Sequence, residues 1–381
     1  MGKNNNNTIF HEKVLPLRKN IDQIDSKILS LLAQRYDQVL KVVELKKEHN
    51  IPVYHPAREE DLISRLRSQA EKARLDPDFM EDLYRIILRQ SRVKQTDQME
   101  VSSTLPGGKV LIVGGSGQMG SFFASLFEKS GYEVRILGKS DWYRAENLCK
   151  DIDLALVSVP IERTCDIIEK LKPYLPLNAV LADLTSIKEE PVKKMMECHN
   201  GPVAGLHPLF GPDTGSLDKQ IIVITPGRDA KACQWVIDQL SIWGAVIVRS
   251  SAAEHDNIME VVQALRHFAT FCFGQFLYNR DAKLERTLEF SSPIYRLELG
   301  MVGRLFAKTQ HCIEIIFATK ERRDLLKEYI SSLKCHIEML EKNDKQLFVE
   351  KFNKVSGWFG PFGEQAMRES TFLINKLIER F

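Results

Sequence analysis

Residues 109–120 read KVLIVGGSGQMG: an apolar, β-branched run that passes straight into Gly115-x-Gly117-x-x-Gly120. The pattern predicts a strand, a sharp turn and a helix over 121–129. In such a unit the first glycine makes the tight turn and the second lets the backbone approach a pyrophosphate. The third lets the helix pack on the strand. Free N–H groups and the dipole at the helix N-terminus favour the anion. Gly115, Gly117, Gln118, Met119 and Gly120 are therefore candidate contacts of a nicotinamide-type dinucleotide. A purely structural glycine turn has the same letters, but here a strand precedes it, a helix follows and further βα units lie downstream.

Those units are YEVRILG, LALVSVP, AVLADL, PVAGLHP, IIVITP and AVIVRS, short β-rich runs separated by helix-length stretches. The alternation predicts a parallel α/β sheet over 109–250. Ser158 and Pro160, in VSVP, close one strand on the edge where such cofactors lie; an ordinary strand end reads the same way. Beyond Ser251 strands cease, and helical patterns continue to Phe381, forming a region 251–381.

Upstream the period is helical. From about Leu15 to Asn50, Leu17, Ile24, Leu31 and Leu45 share one heptad row, and Ile21, Ile28 and Val42 the next. Pro16 lies near the expected start, and Asn50 with Pro52 marks the stop. Shorter helices are expected from Pro56 and after Asp76-Pro77, the three spanning 10–97. Two short helices cannot cover a first helix roughly 50 Å long, so the segment predicts a dimer. Residues 98–108 read as a polar linker.

With 53 basic and 51 acidic residues among 381, a net charge of +2, the chain gives no general reason to expect nucleic acid or an anionic membrane as partner. No apolar run is long enough to span a bilayer, and the first residues lack a signal peptide's apolar stretch. Seven scattered cysteines, with no C-x-x-C pair, fit a reducing compartment rather than a disulfide framework or a metal site. A cytoplasmic protein with no metal is expected.

Several residues carry candidate chemistry. His207, in GLHPLFGP, lies in a turn-rich stretch after a strand, where an imidazole can exchange a proton near neutral pH; a loop histidine satisfied by backbone is the plain alternative. Arg296 and Arg304 interrupt an apolar helix, about 80° apart around it, and call for a carboxylate, from a ligand or an internal Glu such as Glu298. Arg35 occupies the same seam as Ile21, Ile28 and Val42, with Lys46 only about 20° away around the helix. Arg18 points about 100° aside, placed to serve another copy. Ser91 and Gln95 share a face at i, i+4, and Arg58-Glu59 opens the second helix. On spacing alone, a coiled-coil arm with solvated charges is the plainer account of this set.

In this order VGGSGQMG, VSVPI, DLTSIK, GLHPLFGPDTGS, EHD, QALRHFATF and SSPIYRLELGMVGRLFA resemble the prephenate dehydrogenases, above all the bifunctional bacterial enzymes that begin with a chorismate mutase. The resemblance runs from about Leu17 to Glu369. It implies an all-α mutase domain, a Rossmann-type domain and an all-α C-terminal dimerisation domain. It implies chorismate and prephenate as substrates, NAD as cofactor, a homodimer and tyrosine as feedback inhibitor. By the same resemblance His207 accepts the proton of the substrate hydroxyl and Arg304 holds the ring carboxylate. Ser186 orients the hydroxyl, and His267 lies near the substrate side chain, linked to tyrosine inhibition. In the mutase, Arg18 of a partner chain, Arg35 and Arg58 bind carboxylates. Lys46 and Gln95 hydrogen-bond the ether oxygen, while Glu59 and Ser91 contact the ring hydroxyl and a carboxylate. His255, Arg296 and His55 receive no firm role.

Two rival readings remain at this level. The helical arm is an inert dimerisation or regulatory element, or a partner- or nucleic-acid-binding arm, which predicts steeply salt-dependent binding to polyanions. Cofactor choice is also open at one point: the strand 133–137 ends in Gly138-Lys139-Ser140, where selectivity for NAD calls for an acid. Asp141, three residues on, is expected to cap the next helix. NAD with weak discrimination against NADP is the expectation.

Overall fold

The computed structural model describes residues 3–48, 56–99, 102–307 and 309–378. His55 and the helix stop expected at Asn50 and Pro52 lie outside them. The chain forms two compact units, Met1–Ser158 with Pro173–Ala182 and His199–Arg249, and Val159–Lys172 with Asp183–Cys198 and Ser250–Phe381.

The first unit opens with three helices, α1 (Lys3–Glu48), α2 (Pro56–Lys72) and α3 (Pro77–Met99). At 1.5 Å per residue α1 is about 70 Å long. It begins well before the expected start, so Pro16 lies inside it and not near its N-terminus. α2 packs on α3, and α3 on α1. Leu17, Ile21, Ile24, Ile28, Leu31 and Leu45 are nonetheless exposed along α1. Near its other end Val43 is fully buried, clustered with Ile242.

The sheet follows: β1 (Lys109–Val113), then the helix α4 (Gln118–Lys129), then β2 (Glu133–Leu137), β3 (Leu154–Val157), β4 (Val180–Asp183), β5 (Val203–Pro208), β6 (Ile221–Pro226) and β7 (Val246–Arg249). Their spatial order is β2-β1-β3-β4-β5-β6-β7. β1, β3 and β4 are buried along almost their whole length, as strands covered on both faces must be. β1 pairs in parallel with β2 and β3, but β6 runs antiparallel to β5, with His207 opposite Val223. The sheet is therefore mixed, a correction to the all-parallel expectation. The connection 209–220 holds only the short 3-10 turn Pro212–Thr214, so no crossover helix carries the chain back to a parallel start.

Phe127 and Trp243 meet edge to face at 4.8 Å, and the Trp243 indole N–H donates to Ser130 Oγ at 2.9 Å. Described residues of the expected linker are held to this core: Gln239 accepts from Thr104 N (2.9 Å) and donates to the Ser102 carbonyl (3.0 Å).

The second unit is helical. A π-helical turn, Glu260–Leu265, runs directly into Arg266–Asn279, which packs on Pro293–Ala307. A Cβ on Gly274 would stand 2.3 Å from the Phe306 ring and 2.9 Å from Val302, so a larger residue there would have to displace the ring. Phe276, Ile294, Phe352, Trp358 and Met367 are among many large apolar side chains left exposed.

Candidate active sites

Three helices bring much of the N-terminal polar set together. Arg35 Nη1, from α1, donates to Ser91 Oγ of α3 at 2.7 Å, and Ser91 in turn donates to the Ile87 carbonyl at 2.8 Å. Ser91 is buried, and Gln95, one turn on, is half-buried. Lys46 is half-buried as well. Burial holds its ammonium below the usual lysine range, opposed by the negative charge of Glu59 on α2. Arg58 is exposed and pairs with Asp61 at 2.9 Å. Arg18 is also exposed, 17 positions before Arg35 and hence about 25 Å up the same helix, so one chain alone cannot bring the two together.

The glycine turn between β1 and α4 has the expected form with one change of part. The left-handed residue is Gly114, at φ +85°, rather than Gly115. Gly115 instead packs under Ile136, whose side chain a Cβ would meet at 2.9 Å. Gly117 caps α4, its N–H donating to the Gly114 carbonyl at 2.9 Å, and Gly117 and Gln118 are exposed. At Gly120 a Cβ would stand 2.5 Å from the Gly114 carbonyl oxygen, the close helix–turn packing the motif needs. Met119 is half-buried beside it. The exposed turn at the head of a 12-residue helix fits a dinucleotide pyrophosphate. Ser158 follows β3, its N–H donating to the Val113 carbonyl at 2.8 Å. Asp141 stands at the N-cap position of the short 3-10 helix Trp142–Arg144, but its side chain makes no capping bond. Its Oδ2 turns back to accept from Gly138 N at 2.9 Å, so an acid does stand at the end of β2.

His207 lies on β5 itself, not in a loop, and is buried. Ser186, His267, Arg304 and Pro160 belong to the second unit, where Pro160 heads the helix Ile161–Leu171. Ser186 is buried, and its carbonyl accepts from Arg322, itself buried and bound to the Ile315 carbonyl at 2.7 Å. The neighbouring Lys188 ammonium and Asp183 carboxylate form a fully buried ion pair, joined by Thr185. Burial holds Lys188 below the usual lysine range against the pull of Asp183.

His267 stands half-buried at the start of Arg266–Asn279, after the π-helical turn, a distortion frequent at functional sites. Arg304 is exposed and not buried as the apolar helix suggested. Arg296 donates to the Leu288 carbonyl at 2.7 Å, satisfying the end of the helix Leu284–Glu289. His255 hydrogen-bonds Asp256 at 2.7 Å. Burial raises the Asp256 carboxyl, but His255 and the backbone N–H groups of Glu189 and Lys188 outweigh it and hold it below the usual range.

Three family models match: chorismate mutase type II over 17–96, the prephenate dehydrogenase nucleotide-binding domain over 135–249 and its dimerization domain over 251–354. A T-protein of Enterobacter agglomerans is 43% identical over 94% of this chain and 96% of its own length. The chain belongs to the T-protein family. A Haemophilus influenzae T-protein is 40% identical over 96% of this chain and 98% of its own. The fold is also that of prephenate dehydrogenase from A. aeolicus, solved with hydroxyphenyl propionate and NAD+. That likeness has a TM-score of 0.54 at 22% identity, covering 66% of this chain and 97% of the other.

This T-protein family member thus carries a chorismate mutase and a prephenate dehydrogenase in one chain. The sequence did not single out Arg92, Asp218 and Lys219, which stand around Glu59. Nor did it single out Asp183, Lys188 and Arg322 about Ser186. Each set is assembled by tertiary contact, and only the DLTSIK motif offered a signal.

Proposed function

We propose that the enzyme rearranges chorismate to prephenate in its N-terminal helices and then oxidises prephenate, with loss of carbon dioxide, to 4-hydroxyphenylpyruvate, using NAD. The observation that carries the first half is the Arg35–Ser91 pair with half-buried Lys46, Glu59 and Gln95 around the same three helices. The rearrangement is pericyclic and needs no nucleophile. Cations and donors that hold a compact dianion in its reactive shape, and stabilise charge on the breaking ether oxygen, are sufficient. Lys46 and Gln95 take the ether oxygen. Arg35 and Arg58, with Arg18 of a second copy, take the carboxylates, and Glu59 and Ser91 contact the ring hydroxyl and a carboxylate.

For the second half, Gly115, Gly117, Gln118, Met119, Gly120, Ser158 and Pro160 would hold the cofactor, whose oxidised nicotinamide, when bound, accepts a hydride. His207 accepts the proton of the ring hydroxyl, Ser186 orients that hydroxyl, and Arg304 binds the ring carboxylate. Tyrosine acts as feedback inhibitor through the region of His267. The domains run 10–97, 109–250 and 251–381, with 98–108 joining the first two. The enzyme works in the cytoplasm as a homodimer. Its exposed apolar rows on α1 and in the second unit support the dimer, and its seven free cysteines support a reducing compartment. Incubation with chorismate tests the whole: prephenate alone without cofactor, and 4-hydroxyphenylpyruvate with it. Prephenate accumulating despite added NAD would refute the second activity.

A further inference from the structure

Glu59, on α2, has both carboxylate oxygens taken. Oε1 accepts from Arg92 Nη1 at 2.6 Å, and Oε2 accepts from Lys219 Nζ at 3.2 Å. Arg92, on α3, turns its Nε to Asp218, at 2.8 and 3.1 Å from the two carboxylate oxygens. The side chains of Glu59, Arg92 and Asp218 are only 12%, 7% and 6% exposed. Arg92 and Lys219 thus meet two carboxylates, the Lys219 side chain 35% exposed and the other three nearly dry, with Lys46 of α1 a further positive charge facing Glu59. Asp218 and Lys219 lie outside the helical arm, in the connection that leaves His207's strand and enters β6. Their place is fixed. Lys219 adopts φ +57°, its N–H donates to the Gly244 carbonyl at 3.0 Å, and Val43 of α1 packs with Ile242 close by in sequence.

A carboxylate that must receive a substrate hydroxyl has to be aimed before the substrate arrives, because misplacement by an ångström lowers rate steeply. From this network we infer that Arg92 and Lys219 are positioning residues of the mutase, aiming Glu59, and that the sheet domain completes the mutase site through Asp218 and Lys219. The inference rests on the reading of Glu59 as a substrate contact. Arg92 cannot aim Glu59 alone, since its other edge is fixed by Asp218. Loss of Arg92 would also leave two carboxylates facing each other.

The test uses full-length chains assayed for mutase on chorismate, for dehydrogenase on added prephenate and for thermal unfolding. Arg92→Met should lower mutase kcat/KM about tenfold, and Lys219→Met about threefold, with dehydrogenase turnover within about twofold of wild type. Adding Asp218→Asn to Arg92→Met removes the repulsion and should restore mutase at least about threefold. Wild-type mutase in a folded Arg92→Met chain, or no recovery in the double variant, would overturn the inference. If Arg92→Met fails to fold, wild-type mutase in Lys219→Met has the same force. Glu59→Gln separates the underlying reading. Unchanged mutase there removes Glu59 from the substrate and the network's purpose with it, whereas a loss there beside an unaffected Arg92→Met defeats the network alone.

Discussion

On the proposed reading Lys46 hydrogen-bonds the breaking ether oxygen, and it can do so only while it carries its proton, because an ammonium, and not an amine, stabilises negative charge there. Burial lowers its pKa and the Glu59 charge raises it. Mutase kcat/KM should therefore fall on the alkaline side below the ordinary lysine range. Glu59→Gln should move that limb further down, as a pH–rate profile would show. Lys46→Ala should abolish mutase while leaving turnover of added prephenate largely intact. His207→Asn should do the reverse, keeping the mutase. Equal loss of both activities in a folded Lys46→Ala chain would defeat the two-site assignment. At the cofactor end, a Cβ on Gly138 would lie 2.8 Å from Asp141 Oδ2, so an acid introduced there merely displaces one already present. The informative change is Asp141→Asn, which keeps an acceptor for Gly138 N–H and deletes the charge. The ratio of kcat/KM for NAD over NADP should drop about tenfold, some 1.4 kcal/mol. An unchanged ratio would move ribose recognition elsewhere.

Elements were legible where their signal is local. The heptad rows of α1 and the strand–glycine–helix order of β1 and α4 follow from spacing alone, because period and turn chemistry are written within a dozen residues. The role of Gly114 was missed because the motif's letters begin at Gly115, while the positive φ belongs to the residue before. The direction of β6 was missed for another reason. Short apolar strands read alike in either direction, and only the helix-free connection 209–220 tells them apart. The ion pairs on Arg92 and Lys219 join residues 126 and 160 positions from their partners, a separation that no periodicity encodes. The fit at Gly120 makes its own prediction. Gly120→Ala places a methyl 2.5 Å from the Gly114 carbonyl oxygen, which is backbone and cannot swing away. The turn must open, so the KM for NAD should rise at least about tenfold while mutase kcat/KM stays put. A normal KM for NAD would show that the turn does not hold the pyrophosphate.

Across the whole molecule the deciding fact is the unburied apolar seam of α1. Leu17, Ile21, Ile24, Ile28 and Leu31 lie on it, each about half exposed or more. A helix about 70 Å long presenting such a row calls for a second copy, and on the proposed reading that copy supplies Arg18 to the site. Arg18 and Arg35 are about 25 Å apart along the axis; antiparallel pairing of two α1 helices brings Arg18 of each toward the Arg35 end of the other. A site built this way takes Arg18 from one protomer and Lys46 from its partner. Chains carrying Arg18→Ala alone, or Lys46→Ala alone, then lack mutase at both sites of their homodimers. In a mixture allowed to exchange subunits, half of the chains at most enter heterodimers if pairing is random. Each heterodimer has one site with both lesions and one with neither, so mutase should reappear at roughly a quarter of the wild-type level. Activity that stays absent, with exchange demonstrated by differently tagged chains, would place each mutase site within a single protomer and return Arg18 to the solvent.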